Sequence, residues 1–247
     1  MKLSKRLEMV ASFVGIQAQI ADVGTDHGYI PIALVEQKLV KKAIAMDIKP
    51  GPLERAREHI RQYGLQEKIE TRLSDGVKQL SVGEADTVII AGMGGELVIH
   101  ILEEGKNLWN FVEHWILSPQ SELDKVRKYL IRQGFEIVKE DMVKEDGKYY
   151  IVMDVAHTSK EKQPSDCDRV TQMSKQLSEA EYYYGPVLIK EKNPVLIEFL
   201  EKEKEQLTGI IQGLEKKPGE RAITRRRELE KKLCLIQETQ RMTEGEL

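Results

Sequence analysis

The sequence predicts an α/β fold, a seven-stranded Rossmann-like sheet followed by a C-terminal antiparallel helical hairpin. Three observations carry that reading. From Gln19 to about His157 short apolar runs alternate with helical stretches, as βαβ units around a parallel sheet require. The last two apolar runs are joined only by Lys144–Lys148, around Asp146-Gly147, which signals a hairpin and not a crossover. After His157 the pattern changes to two long, charged, amphipathic segments separated by Lys217-Pro218-Gly219.

Each element has its own local justification. Leu3, Leu7, Val10 and Val14 recur at helical spacing at the start of the chain. Strands are predicted at Ile20–Val23, Ala43–Asp47, Ile69–Leu73, Thr87–Ala91, Trp115–Leu117, Phe135–Val143 and Tyr149–Val155, all short apolar runs. Helices fall between them, near Tyr29–Gln37, Pro52–Tyr63, Glu96–Glu104 and Ser121–Arg132. Gly64, Gly105 and Gly134 stand where a helix end favours a left-handed residue. Ser121 with Asp124 resembles an N-cap with an acidic third position. A parallel sheet that closes on an antiparallel hairpin fits a seven-stranded class I methyltransferase sheet better than a dehydrogenase sheet.

Thr158–Asp168 is polar, contains Pro164, and reads as a linker. Beyond it, Leu196, Phe199, Leu200, Leu207, Ile210, Ile211 and Leu214 line a first helix over Pro194–Lys217. Ile223, Leu229, Leu233 and Ile236 line a second that begins near Arg221. Two long helices around a tight break make an antiparallel pair, read as an imperfect coiled coil. The division expected is residues 1–160 for the sheet domain and 161–247 for the helical domain.

Composition narrows the function classes. No run of 18 apolar residues exists, and the start of the chain is too polar for a secretory segment, so a soluble, cytoplasmic protein with no membrane partner is expected. Cys167 and Cys234 are far apart, without CxxC or Cys/His clustering, so reduced thiols and no metal are expected. The net charge of -3 does not announce a nucleic-acid binder. Basic residues nevertheless gather at Lys2, Lys5 and Arg6, at Arg55, Arg57 and Arg61, and at Arg225, Arg226 and Arg227, while solvated helix faces commonly carry such runs.

The chemistry concentrates in Ala21-Asp22-Val23-Gly24-Thr25-Asp26-His27-Gly28, a glycine-containing turn from strand to helix. The pattern is not GxGxxG, and its charges decide more than its glycines. Two carboxylates, Asp22 and Asp26, would repel a pyrophosphate by several kcal/mol at intermediate dielectric. They suit a cation such as the sulfonium and ammonium of S-adenosylmethionine. Capping of the following helix explains one of these acids but not both. Asp47 ends the next strand, where an acid can accept hydrogen bonds from a ribose diol. Ser74-Asp75-Gly76 ends the third, where Asp75 can take an adenine amino group; alone, this is simply a turn. The fourth strand runs into Gly92-Met93-Gly94-Gly95, and Ser118-Pro119-Gln120 adds a polar tip to the same rim. Gly94-Gly95 either lets a base lie close to the backbone or merely opens the next helix.

LSKRL at Leu3–Leu7, ADVGTDHGYIPI at Ala21–Ile32, MDIKPGPLERA at Met46–Ala56, SDG at Ser74–Gly76, AGMGGELV at Ala91–Val98, SPQS at Ser118–Ser121 and YYYGPVL at Tyr182–Leu188 together resemble the bacterial TrmK family. That family methylates N1 of the adenine at position 22 of tRNA. The resemblance spans nearly the whole chain, and implies a methyltransferase domain with a C-terminal coiled coil, S-adenosylmethionine as cofactor, tRNA as substrate and no metal. The cofactor residues expected are Asp22, Gly24, Thr25, Gly28, Asp47, Ile48, Asp75, Gly76, Ala91, Gly92 and Met93. Asp26 and His27 are the catalytic candidates, and Arg6, Tyr29, Gly94 and Gly95 the substrate contacts. The alternatives are a methyltransferase for another RNA, a protein or a small molecule, an NAD-dependent oxidoreductase, and a noncatalytic RNA-binding protein with a vestigial cofactor fold. The hairpin's apolar faces can pack internally or against another chain; a monomer is the expectation.

Overall fold

The computed structural model describes residues 1–158, 176–215 and 219–245. They fall into two compact units, divided between Ser174 and Lys175. Residues 159–168 of the expected linker, Cys167, the domain boundary after residue 160 and Lys217-Pro218 of the break lie outside the described residues.

The first unit is built on a seven-stranded sheet. Its strands are β1 (Gln19–Val23), β2 (Lys42–Asp47), β3 (Ile69–Leu73), β4 (Thr87–Ala91), β5 (His114–Ser118), β6 (Phe135–Glu145) and β7 (Lys148–His157), in the order β3-β2-β1-β4-β5-β7-β6. β1 to β5 pair in parallel, with Val23 opposite Met46 and Ile90, and Ala91 opposite Ser118, so their carboxyl ends share one edge. β7 pairs antiparallel with both β5 and β6. Asp146 and Gly147 join the last two strands at φ 49° and 75°, the two positive values a two-residue type I′ turn requires.

Helices α1 (Lys5–Ser12), α2 (Tyr29–Glu36), α3 (Pro50–Gln62), α4 (Gly95–Glu104) and α5 (Leu123–Arg132) complete this unit. In α3, Leu53, Ala56 and Ile60 are buried at spacings of three and four, the stripe of a helix lying on a sheet. Met9 and Val10 of α1, Ile30 to Val35 of α2 and the α3 stripe share one core with Ile20, Ile89 and Ile116. Alternation along β1 puts Asp22 on the same face as Ile20, toward α1 and α2. Full burial of a side chain such as Ile89 contributes about 1.5–3 kcal/mol. On α5, Arg127 is buried and ion-paired to buried Glu140 of β6 at 2.9 Å, a feature with no sequence signal.

Two local expectations are corrected. Gly64 and Gly134 are left-handed as expected, but Gly105 sits at φ -92°. Close packing explains that glycine: a β-carbon there would lie 2.8 Å from Val77 Cγ2, and the chain continues into a 3-10 turn, Lys106–Leu108. Ser121 does not cap α5, whose N-cap is Glu122 at φ 56°. The Ser121 hydroxyl instead accepts from the Gly95 amide at 3.3 Å, because the first turn of α4 packs against this loop.

The second unit holds α6 (Glu179–Tyr184), α7 (Pro186–Lys190), α8 (Pro194–Glu215) and α9 (Glu220–Glu244). The first two are short helices that the sequence reading did not place; a capping box between Ser178 and Glu181 opens α6. α8 and α9 run antiparallel, as Lys204 bonded to Gln240 and Lys192 bonded to the Glu244 carbonyl show. Leu196, Leu200, Leu207 and Ile211 are buried along α8, and Leu229, Ile236, Thr239 and Thr243 along α9. The two threonine hydroxyls donate to the Leu235 and Gln240 carbonyls, so the polar part of the α9 seam is satisfied.

Candidate active site

A cleft of about 320 Å³ opens at the carboxyl edge of the sheet. Arg6 and Leu7 of α1, Asp22, Gly24, Asp26, Tyr29, Ile30, Ala91, Gly92 and Gln120 line it. It therefore draws on the tips of β1, β4 and β5 together with the helices packed above them. Ligands of open α/β sheets sit at this edge.

Among the charges lining the cleft Asp22 is the most deeply placed, with 5% of its surface exposed. Burial pushes its carboxyl up to about 6, the Thr25 side chain opposes the rise, and neighbouring Asp47 adds to it. The backbone after it is engaged: Gly24 and Thr25 both donate to the Met46 carbonyl, at 2.8 Å each. These are amides that a strand-to-helix turn would otherwise present to a phosphate. The turn thus offers carboxylates where a dinucleotide site offers backbone N–H groups. Gly24 is left-handed at φ 76°, and a β-carbon there would lie 2.0 Å from Met93 Cε, so the Met93 thioether lies directly over it.

Asp26 is exposed at the lip of the cleft. Its Oδ1 accepts from Arg55 Nη2 at 3.0 Å and lies 3.4 Å from His27 Nε2. His27 is itself left-handed, at φ 63°, and its carbonyl accepts from His59 Nδ1 at 3.0 Å. The His27 and Tyr29 rings stack at 5.1 Å with 7° between their planes, and the His59 ring stacks on His27 at 5.2 Å. Arg55 and His59 are one turn apart on α3, so that helix clamps the Asp26-His27 turn from outside the cleft. Sequence reading named Arg55 only within a basic cluster and did not name His59; their i, i+4 spacing just after the acidic tip of β2 was the available signal.

The structure gathers Arg6, Asp22, Gly24, Asp26, Tyr29, Ala91 and Gly92 in one cleft. Thr25 is buried in the same turn, and Gly28, at φ 69°, starts α2. Asp47 stands at the tip of β2, with Oδ1 held by the Lys49 amide at 2.7 Å and Ile48 exposed beside it. Asp75 lies past the tip of β3, paired with Lys78 at 2.7 Å, and that hydrogen bond holds its carboxyl below the usual range. Gly76 follows it, its carbonyl accepting from the Ser74 hydroxyl at 2.8 Å. Asp47, Ile48, Asp75 and Gly76 are therefore on the same sheet edge but outside the lining of this cleft.

Gly94 and Gly95 are also outside that lining. A β-carbon on Gly95 would sit 2.6 Å from the Ser121 carbonyl oxygen and 3.0 Å from Glu122 Cβ. Tight packing of α4 on the β5–α5 loop is thus sufficient reason for this glycine. Among the described residues, no three His, Cys, Asp or Glu side chains form a metal-binding group.

Comparison with known proteins identifies the fold and the family. A sequence profile described as "Methyltransferase domain" matches residues 3–153. The chain is 35% identical over 214 residues to the tRNA (adenine(22)-N(1))-methyltransferase of Bacillus subtilis (strain 168), covering 87% of this chain and 86% of that one. It resembles the structure of Sp1610 from Streptococcus pneumoniae in complex with S-adenosyl-L-methionine, with TM-score 0.80, 36% identity, and 97% of this chain and 100% of that one covered. It also resembles M. capricolum TrmK in complex with S-adenosyl-homocysteine, with TM-score 0.77, 28% identity, and 98% and 100% covered.

Proposed function

The chain belongs to the family of tRNA (adenine(22)-N(1))-methyltransferases, and we propose that it methylates N1 of an adenine in tRNA, position 22, using S-adenosylmethionine. One observation carries the chemistry: buried Asp22 and exposed Asp26 line one cleft while the Gly24 and Thr25 amides are tied to Met46. That arrangement attracts positive charge and offers little to a pyrophosphate.

When bound, the cofactor supplies an electrophilic methyl group on a sulfonium. Asp22 and Asp26 would hold positive charge beside it, and Asp47, past the cleft on the same sheet edge, would accept from a ribose hydroxyl through the oxygen not engaged by Lys49. Adenine N1 already carries a lone pair, so no residue need create the nucleophile; positioning dominates. Tyr29, stacked on His27 at the cleft wall, gives an unpaired base a flat surface on which to lie. Methylation makes the ring cationic, and the exposed Asp26 carboxylate, oriented by Arg55 and His27, stabilises that charge as it develops.

The hairpin's main apolar residues are buried within the chain, which supports action as a monomer. No helix of the described residues is long and apolar enough to cross a membrane. The cytoplasm is the compartment we propose, since the substrate is tRNA. The test is single-turnover reaction of an unmodified tRNA transcript with methyl-labelled cofactor, followed by mass mapping of the product. Label on N1 of the adenine at position 22 is expected; label elsewhere, or none, refutes the assignment.

A further inference from the structure

Tyr29 lines the cleft, whereas His27 and His59 stand outside its lining. The three rings nevertheless form one structure. Their centroids are 5.1 Å (His27–Tyr29), 5.2 Å (His27–His59) and 5.5 Å (Tyr29–His59) apart, with 7°, 23° and 17° between the planes. Nearly parallel rings at almost equal separations make a triangle and not a column, so each is braced by the other two. His59 is the member from a different element. His27 and Tyr29 belong to the turn after β1 and the start of α2, while His59 sits on α3 beside buried Ile60. A β-carbon on Gly28 would stand 3.4 Å from Ala56 Cβ, so α3 packs against that turn directly. The His27 carbonyl can only accept, so His59 Nδ1 carries the hydrogen of their 3.0 Å bond, and the bond fixes how the His59 ring is turned. A half-buried histidine on a helix is free to point into solvent; this one lies against the aromatic side chain that faces the cleft.

We propose that His59 is a positioning residue for the target base: from outside the cleft it holds the Tyr29 ring in the plane on which the adenine lies. This rests on the reading that an unpaired adenine stacks on Tyr29. With His27 as its sole neighbour, the Tyr29 ring would keep freedom to tilt and slide; a second ring anchored on α3 removes it. A base lying on a tilting ring carries its N1 away from the methyl group, and a misplacement of about 1 Å can cost about 100-fold in rate. Most of a polyanion's affinity comes from its phosphates, so the loss falls on the rate of the bound complex and not on tRNA binding.

Single-turnover methylation of an unmodified tRNA transcript, at saturating cofactor and tRNA, tests this. His59→Asn keeps a donor near the Nδ1 position and removes the ring; His59→Phe keeps a ring and removes the donor. His59→Asn should lower the rate about 10-fold and His59→Phe no more than about 3-fold, with tRNA affinity within about 2-fold in both. Tyr29→Ala should itself be about 10- to 100-fold slower, and adding His59→Asn to it should cost no more than about 2-fold further, because the ring that His59 positions is gone. A merely structural role would not vanish with Tyr29. The reverse order, with His59→Phe slow and His59→Asn near wild type, would assign the effect to the His27 carbonyl bond and overturn the proposal. So would equal losses in the two variants, a His59→Asn loss undiminished in the Tyr29→Ala background, or a loss confined to tRNA affinity. A Tyr29→Ala protein as fast as wild type would instead remove the stacking of the base on Tyr29, and the role of His59 with it, which separates the two failures.

Discussion

Replacing Asp22 with asparagine should stabilise the ligand-free protein and weaken its hold on the cofactor. Burial lifts this carboxyl from 3.8 to about 6. A shift of about 2 units is worth about 3 kcal/mol at 1.36 kcal/mol per unit, and full burial leaves little solvent screening to discount. Since the folded state holds the proton more tightly, stability falls as pH rises between about 4 and 6, then levels off. Above that window ionised Asp22 is a standing cost, which a neutral amide removes. The upper bound is about 3 kcal/mol, or roughly 6–12 °C in Tm for a protein of this size, less whatever the amide fails to bond.

Ligand binding has the opposite sign, because a cation requires the ionised carboxyl. Wild-type affinity should be about 10-fold lower at pH 5 than at pH 8, with the midpoint near 6. Asp22→Asn should abolish that slope and bind weakly throughout. Thermal melts and calorimetry with S-adenosylmethionine at pH 5, 6, 7 and 8 measure both halves. A variant less stable than wild type at pH 8, or a wild-type affinity flat across the range, would refute the reasoning.

Other consequences are separable. Asp47→Ala should weaken cofactor binding about 10-fold by calorimetry, since a charged acceptor of a ribose hydroxyl is lost; unchanged affinity removes the ribose role. Asp26→Ala should lower single-turnover methylation of tRNA by about 100-fold even at saturating cofactor, and wild-type turnover would leave Asp26 without a part in the chemistry. Gly95→Ala should destabilise the fold by about 1–3 kcal/mol in denaturant melts, because its β-carbon collides with the Ser121 carbonyl; a neutral effect would show that the loop yields.

Most of the fold was legible because its signals are local. The βαβ rhythm, the Asp146-Gly147 turn and the break near Gly219 each depend on a few adjacent residues. Strand tips at a shared edge then follow from topology, which is how Asp22, Asp47 and Asp75 could be read as a series. What escaped is what depends on non-local approach. Arg55 and His59 reach the Asp26-His27 turn across α3, and Tyr150 meets Arg6 across more than half the first unit. Gly105 was misread for the same reason: its neighbour Val77 is remote in sequence, and close packing leaves no local mark. The buried Arg127–Glu140 pair looks, in the chain, like any two surface charges. The two short helices before α8 were missed because segments of six and five residues carry too little periodicity to read.

The central claim is that an acid-lined strand edge selects a cation over a phosphate. Parallel titrations of the wild-type protein near pH 8 with S-adenosylmethionine and with NAD test it most directly. Saturable one-to-one binding of the sulfonium, with no detectable heat from the dinucleotide, is the outcome the charges demand. Binding of NAD with no response to S-adenosylmethionine would contradict it.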